Sequence, residues 1–434
     1  MHKSAIKIFL WFYDLVWKIV LPGLSLNLRI AEGYEQRTLK KKLPKADLWI
    51  QAASVGESYL ACEILKNLRL SYPIKIIVTT NTHQGLEILE QSIVGIIKDH
   101  RELSVFPAYF PFDKPSMMKK AVNQVCPKIM VLLESEIWPS LLYALKQHGC
   151  ITIIINGRIT QKSLKRYLVL PSLWRTIRPD KIFAISEKDA NRFAKLFGLN
   201  NVNVMPNIKF DRIGYNTEGL YNTTNPLETI IAPETYLIIF GSVRREEETA
   251  VEKIILEIRH RRPDIVIGLF PRHLQRIKHW GNALNSLSIP FILRSNTKTH
   301  VQPGTVILWD TFGELNFAYR HSKAAFVGGS LEPLGGQNFL EALTSGVIPV
   351  IGPYWENFYW VGNEIVKNGL VHIASDWREV ADILIENTKK SPSHEDVLNK
   401  ALMYLKNRQG GTAQACNIIT EILNKKYKAF SCNE

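Results

Sequence analysis

The chain has 434 residues, of which 46% are hydrophobic and 22% charged, a composition typical of a globular protein long enough for two domains. Its formal net charge of +14 predicts anionic partners such as membranes, nucleic acid or phosphorylated substrates. Because no RNA- or DNA-reading motif is present, we expect no nucleic acid partner. The five cysteines show no Cys-x-x-Cys spacing, which excludes a cysteine metal site or disulfide framework and favours a reducing compartment.

The N-terminal segment, residues 6–26, is mostly apolar and aromatic, and Pro22-Gly23 is expected to end its helix. Four charged residues would fall on one narrow face at about 100° per residue: Lys3, Lys7, Asp14 and Lys18. Such a helix favours the plane of a membrane interface, and the basic run 40–42 would add attraction to anionic lipid. A helix docked on the protein's own core and a single transmembrane anchor stay open as alternatives.

From residue 48 onward, short apolar runs alternate with segments of helix length. The runs predict strands of a parallel sheet that is covered on both faces: 48–53, 75–80, 128–134, 151–156, 181–186 and 202–205. The polar, turn-rich stretch 211–233 then interrupts the pattern and is predicted to be an interdomain linker.

The alternation begins again in the second half of the chain. The predicted strands there are 236–242, 264–270, 290–293, 305–309, 324–328, 347–351 and 370–374. Two such arrays predict an α/β fold with two doubly wound, Rossmann-like domains facing a central cleft, where the carboxyl ends of the strands would bind ligands. The predicted bounds are 1–35 for a membrane-associated helix, 36–212 for the first domain and 213–434 for the second. The last helical pattern, 399–424, is expected to pack back across a domain.

A glutamate follows the first predicted strand, in the sequence Gln51-Ala-Ala-Ser-Val-Gly-Glu57. A carboxylate at the carboxyl end of a strand is a candidate general base, and Glu57 is the first such residue. The alternative is a glutamate in the first turn of a helix that only complements the helix dipole.

A pair of acids, Glu134 and Glu136, directly follows the aliphatic strand Val131-Leu-Leu. Arg158 and Lys209 lie just beyond later strands of the same domain. These two cations either hold an anionic substrate or pair with the acids, and the sequence favours neither reading.

The second domain contains a glycine-dense turn that includes Gly336, between a strand and a helix expected to start near Asn338. Unpaired backbone N–H groups at such a helix start favour a phosphate or carboxylate. Glu341, just inside the helix, could accept hydrogen bonds from ribose hydroxyls. The alternative is a plain strand-turn-helix connection with a capping asparagine.

Other strand ends of the second domain offer polar groups to a nucleotide. Ser242 ends one strand, and the run 244–248 after it is typical of a solvated helix start. Arg272 ends the next strand and could grip a phosphate with its planar guanidinium. Gly313 and Glu314 lie in a turn whose free backbone groups could bind a base or phosphate. Since the sequence has no Asp-x-Asp pair and no metal-ligand spacing of histidines, we expect no metal site.

Eight motifs follow one another along the chain: Ala-Ala-Ser-Val-Gly-Glu57, Leu-Glu134-Ser-Glu136-Ile-Trp-Pro, Asn156-Gly-Arg158, Asn207-Ile-Lys209-Phe, Gly241-Ser242, Pro-Arg272-His273, Asp-Thr-Phe-Gly313-Glu314, and Phe-Val-Gly-Gly-Ser with Gly-Gly-Gln-Asn338-Phe-Leu-Glu341. In this order they resemble the 3-deoxy-D-manno-octulosonic acid (Kdo) transferases of lipid A biosynthesis, which have the GT-B glycosyltransferase fold. The resemblance covers almost the whole chain.

The resemblance implies inverting transfer of Kdo from CMP-Kdo to the tetraacyldisaccharide lipid A precursor, lipid IVA. It places the enzyme at the cytoplasmic face of the bacterial inner membrane and implies no cofactor besides the donor substrate. The first domain would bind the acceptor, with Glu57 as base and Glu134 as a second catalytic acid. The second domain would bind the nucleotide sugar through Arg272 and the helix start 338–341.

The sequence departs from the family at Gln337, where the family usually has a histidine, and glutamine cannot become cationic near neutral pH. Two other functions stay open. One is a GT-B enzyme that uses a UDP- or ADP-linked sugar. The other is a non-catalytic, membrane-associated protein that binds a nucleotide sugar.

Overall fold

The chain forms two compact units, one comprising residues 1–212 with 408–434 and the other residues 213–407. The computed structural model describes residues 3–24, 31–200, 202–213, 225–390 and 392–431, so much of the predicted linker lies outside the described residues. The predicted second domain ran to residue 434, whereas residues 408–434 form part of the first unit.

The first unit contains one parallel sheet in the order β3-β2-β1-β4-β5-β6-β7. The strands are β1 Leu48–Gln51, β2 Ile74–Thr80, β3 Leu103–Tyr109, β4 Ile129–Leu133, β5 Ile151–Gly157, β6 Lys181–Ala184 and β7 Asn203–Val204. The order reverses between β1 and β4, which makes their carboxyl ends the topological switch point where ligands bind in open α/β sheets.

Helices connect these strands on both faces of the sheet. They are α1 Lys3–Leu24, α2 Tyr34–Arg37, α3 Val55–Asn67, α4 His83–Asp99, α5 Pro115–Val125, α6 Pro139–His148, α7 Gln161–Tyr167, α8 Pro171–Thr176 and α9 Glu187–Phe197, and the C-terminal helix Gly411–Ser431 also belongs to this unit. Alternate residues of β1 enter different layers, since Trp49 packs with α5 and α6 while Leu48 and Ile50 pack with α3 and α4.

The second unit has the sheet order β10-β11-β9-β8-β12-β13-β14, again with parallel pairs. The strands are β8 Leu237–Val243, β9 Val266–Pro271, β10 Phe291–Leu293, β11 Val306–Leu308, β12 Ala324–Val327, β13 Pro349–Ile351 and β14 His372–Ile373. The helices are α10 Glu248–Arg261, α11 Ile277–Ser286, α12 Leu315–His321, α13 Leu340–Thr344, α14 Glu364–Lys367, α15 Trp377–Lys389 and α16 His394–Lys406, so the C-terminal helix is α17. Here the switch point lies between β8 and β12.

Each predicted strand has a counterpart in the structure, but β3 was not predicted. Its sequence, Leu-Ser-Val-Phe-Pro-Ala-Tyr, contains Pro107, which lacks the N–H that a central strand must donate. The structure places β3 at the edge of its sheet, where it pairs only with β2 among the described residues. An edge strand tolerates this proline because one side of its backbone pairs with no other strand.

Helix α1 packs on the first unit with only part of its apolar surface. Ile6 and Leu10 are buried, at 1% and 5% exposure, in the core cluster that includes α5 and α6. Asp14 accepts a hydrogen bond from Ser116 N at 2.8 Å, the second residue of α5. By contrast, Phe12 and Ile19 are 60% and 77% exposed. The helix therefore directs part of its polar side toward the protein and leaves an apolar side uncovered.

None of the helices among the described residues is both long enough and apolar enough to cross a membrane.

Candidate functional site

In the first unit, the switch point brings the predicted acidic motifs together. Gln51 at the end of β1 pairs in register with Leu132 of β4, so the loops after these strands start side by side. The first loop carries Glu57 and the second carries Glu134 and Glu136. All three carboxylates are buried, and the charges of both other glutamates act on Glu57.

Glu57 occupies the third position of α3 and closes a capping box. Its Oε2 accepts a hydrogen bond from Ser54 N at 2.9 Å, and Ser54 Oγ accepts one from Glu57 N at 3.3 Å. The alternative of a helix-capping role is therefore present in the structure. Burial, followed by the charges of Glu136 and Glu134, nevertheless raises the pKa of Glu57 to about 8. A carboxyl that only capped a helix at the surface would have a pKa in the ordinary range.

Glu134 is committed to two ion pairs. Its Oε2 lies 2.6 Å from Arg158 Nε, and its Oε1 lies 2.6 Å from Lys209 Nζ. The backbone of Glu134 has φ of 53°, a left-handed conformation that few non-glycine residues adopt. In the structure, Arg158 and Lys209 both pair with an acid of their own unit. The structure also shows that Glu134, predicted to be catalytic, positions cations with both carboxylate oxygens.

Two asparagines fix the backbone near Lys209. Asn156, with φ of 58° at the end of β5, accepts a hydrogen bond from Ile208 N at 2.9 Å. Asn207 accepts one from Lys209 N at 3.0 Å. Among the described residues, the buried Nδ2 atoms of both asparagines donate to no partner. This arrangement explains why asparagine precedes each cation by two residues in these motifs.

A buried polar network that the sequence did not predict leads to Glu136. Trp49 Nε1 donates to Thr79 Oγ1 at 2.8 Å, and Thr79 Oγ1 donates to Gln51 Oε1 at 2.5 Å. Gln51 Nε2 then donates to Glu136 Oε2 at 3.4 Å, and Trp138 Nε1 donates to the same oxygen at 2.7 Å. The sequence does contain an indication of this network, because Gln51 is a polar residue at the end of an otherwise apolar strand.

In the second unit, β9, β8 and β12 are neighbours, so their carboxyl ends gather several predicted residues. Ser242 has φ of 57° at a bulge of β8 against β9. Arg272 follows β9 and donates its backbone N–H to Val243 O at 2.7 Å. Its side chain is exposed and forms no ion pair with a described residue. Arg272 is therefore a cation available to a ligand.

Glu247 binds backbone N–H groups of the glycine-dense turn after β12. Its carboxylate accepts hydrogen bonds from Gly329 N at 2.5 Å, Ser330 N at 3.3 Å and Leu331 N at 3.4 Å. A Cβ atom at Gly328 would collide with the same carboxylate. The prediction that the run 244–248 is a solvated helix start is wrong for Glu247, which is 1% exposed. Because its neighbours in the sequence are also charged, the burial of the Glu247 carboxylate is not visible in the sequence.

The helix after the glycine-dense turn starts later than predicted. Helix α13 begins at Leu340, and Asn338 Oδ1 accepts a hydrogen bond from Leu340 N at 3.3 Å. Asn338 Nδ2 donates to Glu341 Oε1 at 2.8 Å. Burial raises the pKa of Glu341, against the opposing effects of the Asn338 hydrogen bond and the charge of Arg272. Arg272 and Glu341 are thus close enough to interact, as expected for parts of one site.

Gly336 holds the turn closed. It has φ of 81° and donates its N–H to Gly329 O at 2.7 Å, while Gln337 N donates to Gly328 O at 3.1 Å. A Cβ atom at Gly336 would lie 3.2 Å from Trp355 Cα, so a side chain here would be both crowded and strained. The predicted contribution of Gly336 is thus one of backbone geometry.

Glu314, predicted to bind the donor, has an internal role in the structure. Its carboxylate forms two hydrogen bonds with Arg294, both at 2.8 Å, and a third with Trp309 Nε1 at 2.8 Å. The neighbouring Gly313 has φ of 87° and open space at its Cβ position. The ion pair fixes the turn after β11, so a ligand could meet the backbone of this turn but not a free carboxylate.

Known proteins match both parts of the chain. The family model described as 3-deoxy-D-manno-octulosonic-acid transferase (kdotransferase) matches residues 29–212. A 3-deoxy-D-manno-octulosonic acid transferase of Haemophilus influenzae is 29% identical over 406 residues, which are 92% of this chain and 92% of that protein. The transferase of Bordetella pertussis is 26% identical over 392 residues, or 87% of this chain and 88% of that protein. The chain is similar to Kdo transferases over most of its length. The resemblance carried by the eight motifs is confirmed.

Solved structures confirm the fold class. A glycosyltransferase from Rickettsia africae is 11% identical, with a TM-score of 0.54 over 88% of this chain and 99% of that chain. A putative UDP-N-acetylglucosamine 2-epimerase from Listeria monocytogenes is 12% identical, with a TM-score of 0.51 over 89% of this chain and 98% of that chain. At such identities the likeness concerns the fold alone, and it agrees with the predicted GT-B class of two parallel-sheet, Rossmann-like units.

Replacing Glu247 should destabilise the second unit. In Glu247→Gln, one oxygen acceptor becomes an NH₂ donor that faces backbone N–H groups, so we expect a loss of about 1–3 kcal/mol. Thermal unfolding should show a lower midpoint than for the wild type. Glu246→Gln is the matched control, because Glu246 is half-exposed and forms only a 3.6 Å ion pair with Arg244. Equal midpoints for both variants would contradict the structural role of Glu247.

Proposed function

We propose that this protein transfers Kdo from CMP-Kdo to a hydroxyl of a lipid A precursor, lipid IVA, in lipopolysaccharide biosynthesis. Similarity to Kdo transferases supports the donor and the class of acceptor. One structural observation supports catalysis rather than binding alone: Glu57 is a buried carboxyl at a switch point, and its pKa is raised to about 8. Burying such a carboxyl costs free energy of folding, which a protein that only binds its ligand has no reason to expend.

In the proposed reaction, the acceptor hydroxyl attacks the anomeric carbon of Kdo. The bond from this carbon to the phosphate oxygen breaks, CMP leaves with the electron pair, and Glu57 takes the proton of the hydroxyl. Because the pKa of Glu57 is near 8, its carboxylate is a stronger base than an ordinary glutamate, and roughly one tenth is ionised at pH 7. General base catalysis of this kind contributes about 10²–10⁴-fold.

Glu134 has a different role in this proposal. Its two ion pairs hold Arg158 and Lys209 in place at the switch point. Because both oxygens of Glu134 are engaged in ion pairs, we assign Glu134 to positioning and not to proton transfer. The two cations together carry one more charge than Glu134 neutralises, which favours an anionic substrate group nearby.

Glu57→Gln tests the base. Glutamine keeps an oxygen that can cap α3, so the variant should fold while Kdo transfer falls by roughly 10²–10⁴-fold. The assay is incubation with CMP-Kdo and lipid IVA, followed by mass spectrometry of the lipid product. In the wild type, kcat/KM should rise with pH and level off above about pH 8, as the carboxyl ionises.

Stability provides the control for folding. A carboxyl whose folded pKa is raised loses stability as the pH rises from its unfolded pKa through its folded pKa of about 8. Glu57→Gln cannot ionise and should therefore unfold at an equal or higher temperature than the wild type near pH 9. A variant that folds and retains transfer within a few-fold of the wild type would exclude Glu57 as the base.

Absence of Kdo on the lipid with the wild-type protein would exclude the proposed function.

For the donor, we propose that Arg272 contacts the phosphate of CMP-Kdo and that Glu341 contacts its ribose, without an obligatory metal ion. The exposed guanidinium of Arg272 acts electrostatically on the Glu341 carboxyl, so one nucleotide could reach both. Ser242, Gly313, Gly336 and Asn338 would shape the surrounding backbone. The N–H groups of residues 329–331 are excluded from this role because Glu247 binds them.

Arg272→Ala should weaken CMP binding by about 1.5–3 kcal/mol, the cost of losing a charged hydrogen bond. Isothermal titration calorimetry with CMP measures this directly. Lys278→Ala is the control, since it removes an exposed cation from α11 of the same unit. If the two variants bound CMP equally, the phosphate contact would have to be assigned elsewhere.

We also propose that the protein acts at the cytoplasmic leaflet of the inner membrane, with α1 in the interface. The acceptor is a phosphorylated lipid, and the net charge of +14 favours anionic surfaces. The exposed apolar residues of α1 form the surface that would enter lipid: Ile8, Trp11, Phe12, Leu15, Val16, Ile19 and Val20. Burial of each such side chain contributes up to about 1.5–3 kcal/mol.

The triple variant Ile8→Gln, Phe12→Gln and Ile19→Gln tests this surface without removing the buried contacts of α1. We expect its binding to anionic vesicles to fall by at least about tenfold, while transfer to detergent-dispersed acceptor persists. Vesicle flotation measures the bound fraction. Val94→Gln with Ile97→Gln is the control, because these exposed apolar residues lie on α4. Unchanged flotation of the triple variant would contradict the interfacial role of α1.

A further inference from the structure

A groove of about 780 Å³ lies between α1 and the helices α5 and α6 of the first unit. Helix α1 contributes Trp11 and Leu15 to its lining, and α6 contributes Tyr143 and Ala144. Its volume is within the range of about 300–1,000 Å³ that is typical of ligand pockets. None of the residues assigned above to catalysis or to donor binding lines it, so the proposed reaction does not account for this groove.

Three lysines give the groove its charge. Lys7 and Lys18 of α1 and Lys119 of α5 line it, and none of them forms an ion pair with another described residue. The acid in the lining, Asp14, is already engaged. Asp14 accepts a hydrogen bond from Ser116 N at 2.8 Å and lies 3.9 Å from Lys114 Nζ. The groove therefore keeps an excess of positive charge for an anionic occupant.

The other part of the lining is apolar and reaches the surface of the unit. Leu10 of α1 is buried, whereas Trp11 and Leu15 are 68% and 40% exposed. These two side chains continue into the uncovered apolar face of α1 that includes Phe12 and Ile19. A free phosphate would not use this apolar lining, but a phosphate that carries an acyl chain would use both parts.

We propose that the groove binds one anionic phospholipid of the bilayer. Its phosphate would contact Lys7, Lys18 and Lys119, and one acyl chain would lie along Trp11, Leu15 and Tyr143. Charge complementarity selects an anionic over a zwitterionic headgroup, and the amphipathic lining selects a lipid over a soluble anion. The proposal shares with the proposed function only the placement of α1 at a membrane, and it adds a specific lipid site.

The test uses the full-length chain in a mild detergent, titrated with phosphatidylglycerol or phosphatidylcholine and followed by native mass spectrometry. We expect one tightly bound phosphatidylglycerol and weaker binding of phosphatidylcholine. Lys119→Glu should weaken phosphatidylglycerol binding by at least about fivefold, the factor expected for one basic residue near anionic lipid. Ala144→Trp, which fills the groove without changing charge, should weaken binding of both lipids.

Lys98→Glu is the matched control, because it makes the same charge change on α4, which packs in the other layer of the sheet. Equal weakening by Lys98→Glu and Lys119→Glu, or equal affinity for the two lipids, would overturn the proposal. Displacement of phosphatidylglycerol by one equivalent of lipid IVA would also overturn it, since the groove would then belong to the acceptor. If Ala144→Trp does not fold, Lys119→Glu and its control decide the outcome.

The lipid-binding test can be read independently of Kdo transfer. Lys119→Glu should transfer Kdo to detergent-dispersed acceptor at the wild-type rate, because Lys119 is not among the residues assigned to catalysis or to donor binding. Loss of lipid selectivity with normal transfer would separate the two assignments. A wild-type protein that bound phosphatidylglycerol but made no Kdo-lipid would contradict the proposed function and leave the lipid site supported.

Discussion

The cost of burying a carboxylate at the end of a parallel strand shapes both units of this protein. An ionised carboxylate is stable in such a place only if cations or N–H groups compensate it. Glu134 is compensated by Arg158 and Lys209, each 2.6 Å away. Glu247 is compensated by backbone N–H groups of the glycine-rich turn. Glu57 has weaker compensation and two acidic neighbours, so its pKa is raised to about 8.

The partners of these three carboxyl groups distinguish residues with a structural role from a candidate catalytic base. A carboxylate whose oxygens are engaged by two cations, as in Glu134, or by several backbone N–H groups, as in Glu247, holds the surrounding loops in place. Glu57, whose pKa is raised to about 8, can exchange a proton near neutral pH, and it is a better candidate for a base than Glu134. The motif Leu-Glu134-Ser-Glu136 and the motif that ends in Glu57 look alike as acids after strands. Only the arrangement of their partners distinguishes a positioning residue from a base.

The sequence predicted the two parallel sheets well because buried parallel strands are continuous apolar runs, which are visible without tertiary information. It missed β3, since Pro107 contradicts a central strand and the edge position depends on the order of the whole sheet. It located Glu57, Arg158, Lys209 and Arg272 at strand ends, but ion pairs between residues far apart in the chain are not visible in one sequence. For that reason the pairing of Glu134, the internal ion pair of Glu314 and the burial of Glu247 emerged only from the structure.

The packing of helix α1 is another feature that the sequence alone does not predict. Its periodicity separates charged from apolar residues, but periodicity does not tell which side meets the protein. In the structure, Asp14 binds the first turn of α5, and Lys7 and Lys18 line the adjoining groove. The protein thus contacts part of the polar side and buries Ile6 and Leu10, while the rest of the apolar side stays exposed. An ordinary surface helix buries its apolar side, whereas α1 leaves Phe12 and Ile19 exposed, and exposed apolar surface of this kind is typical of an interaction site.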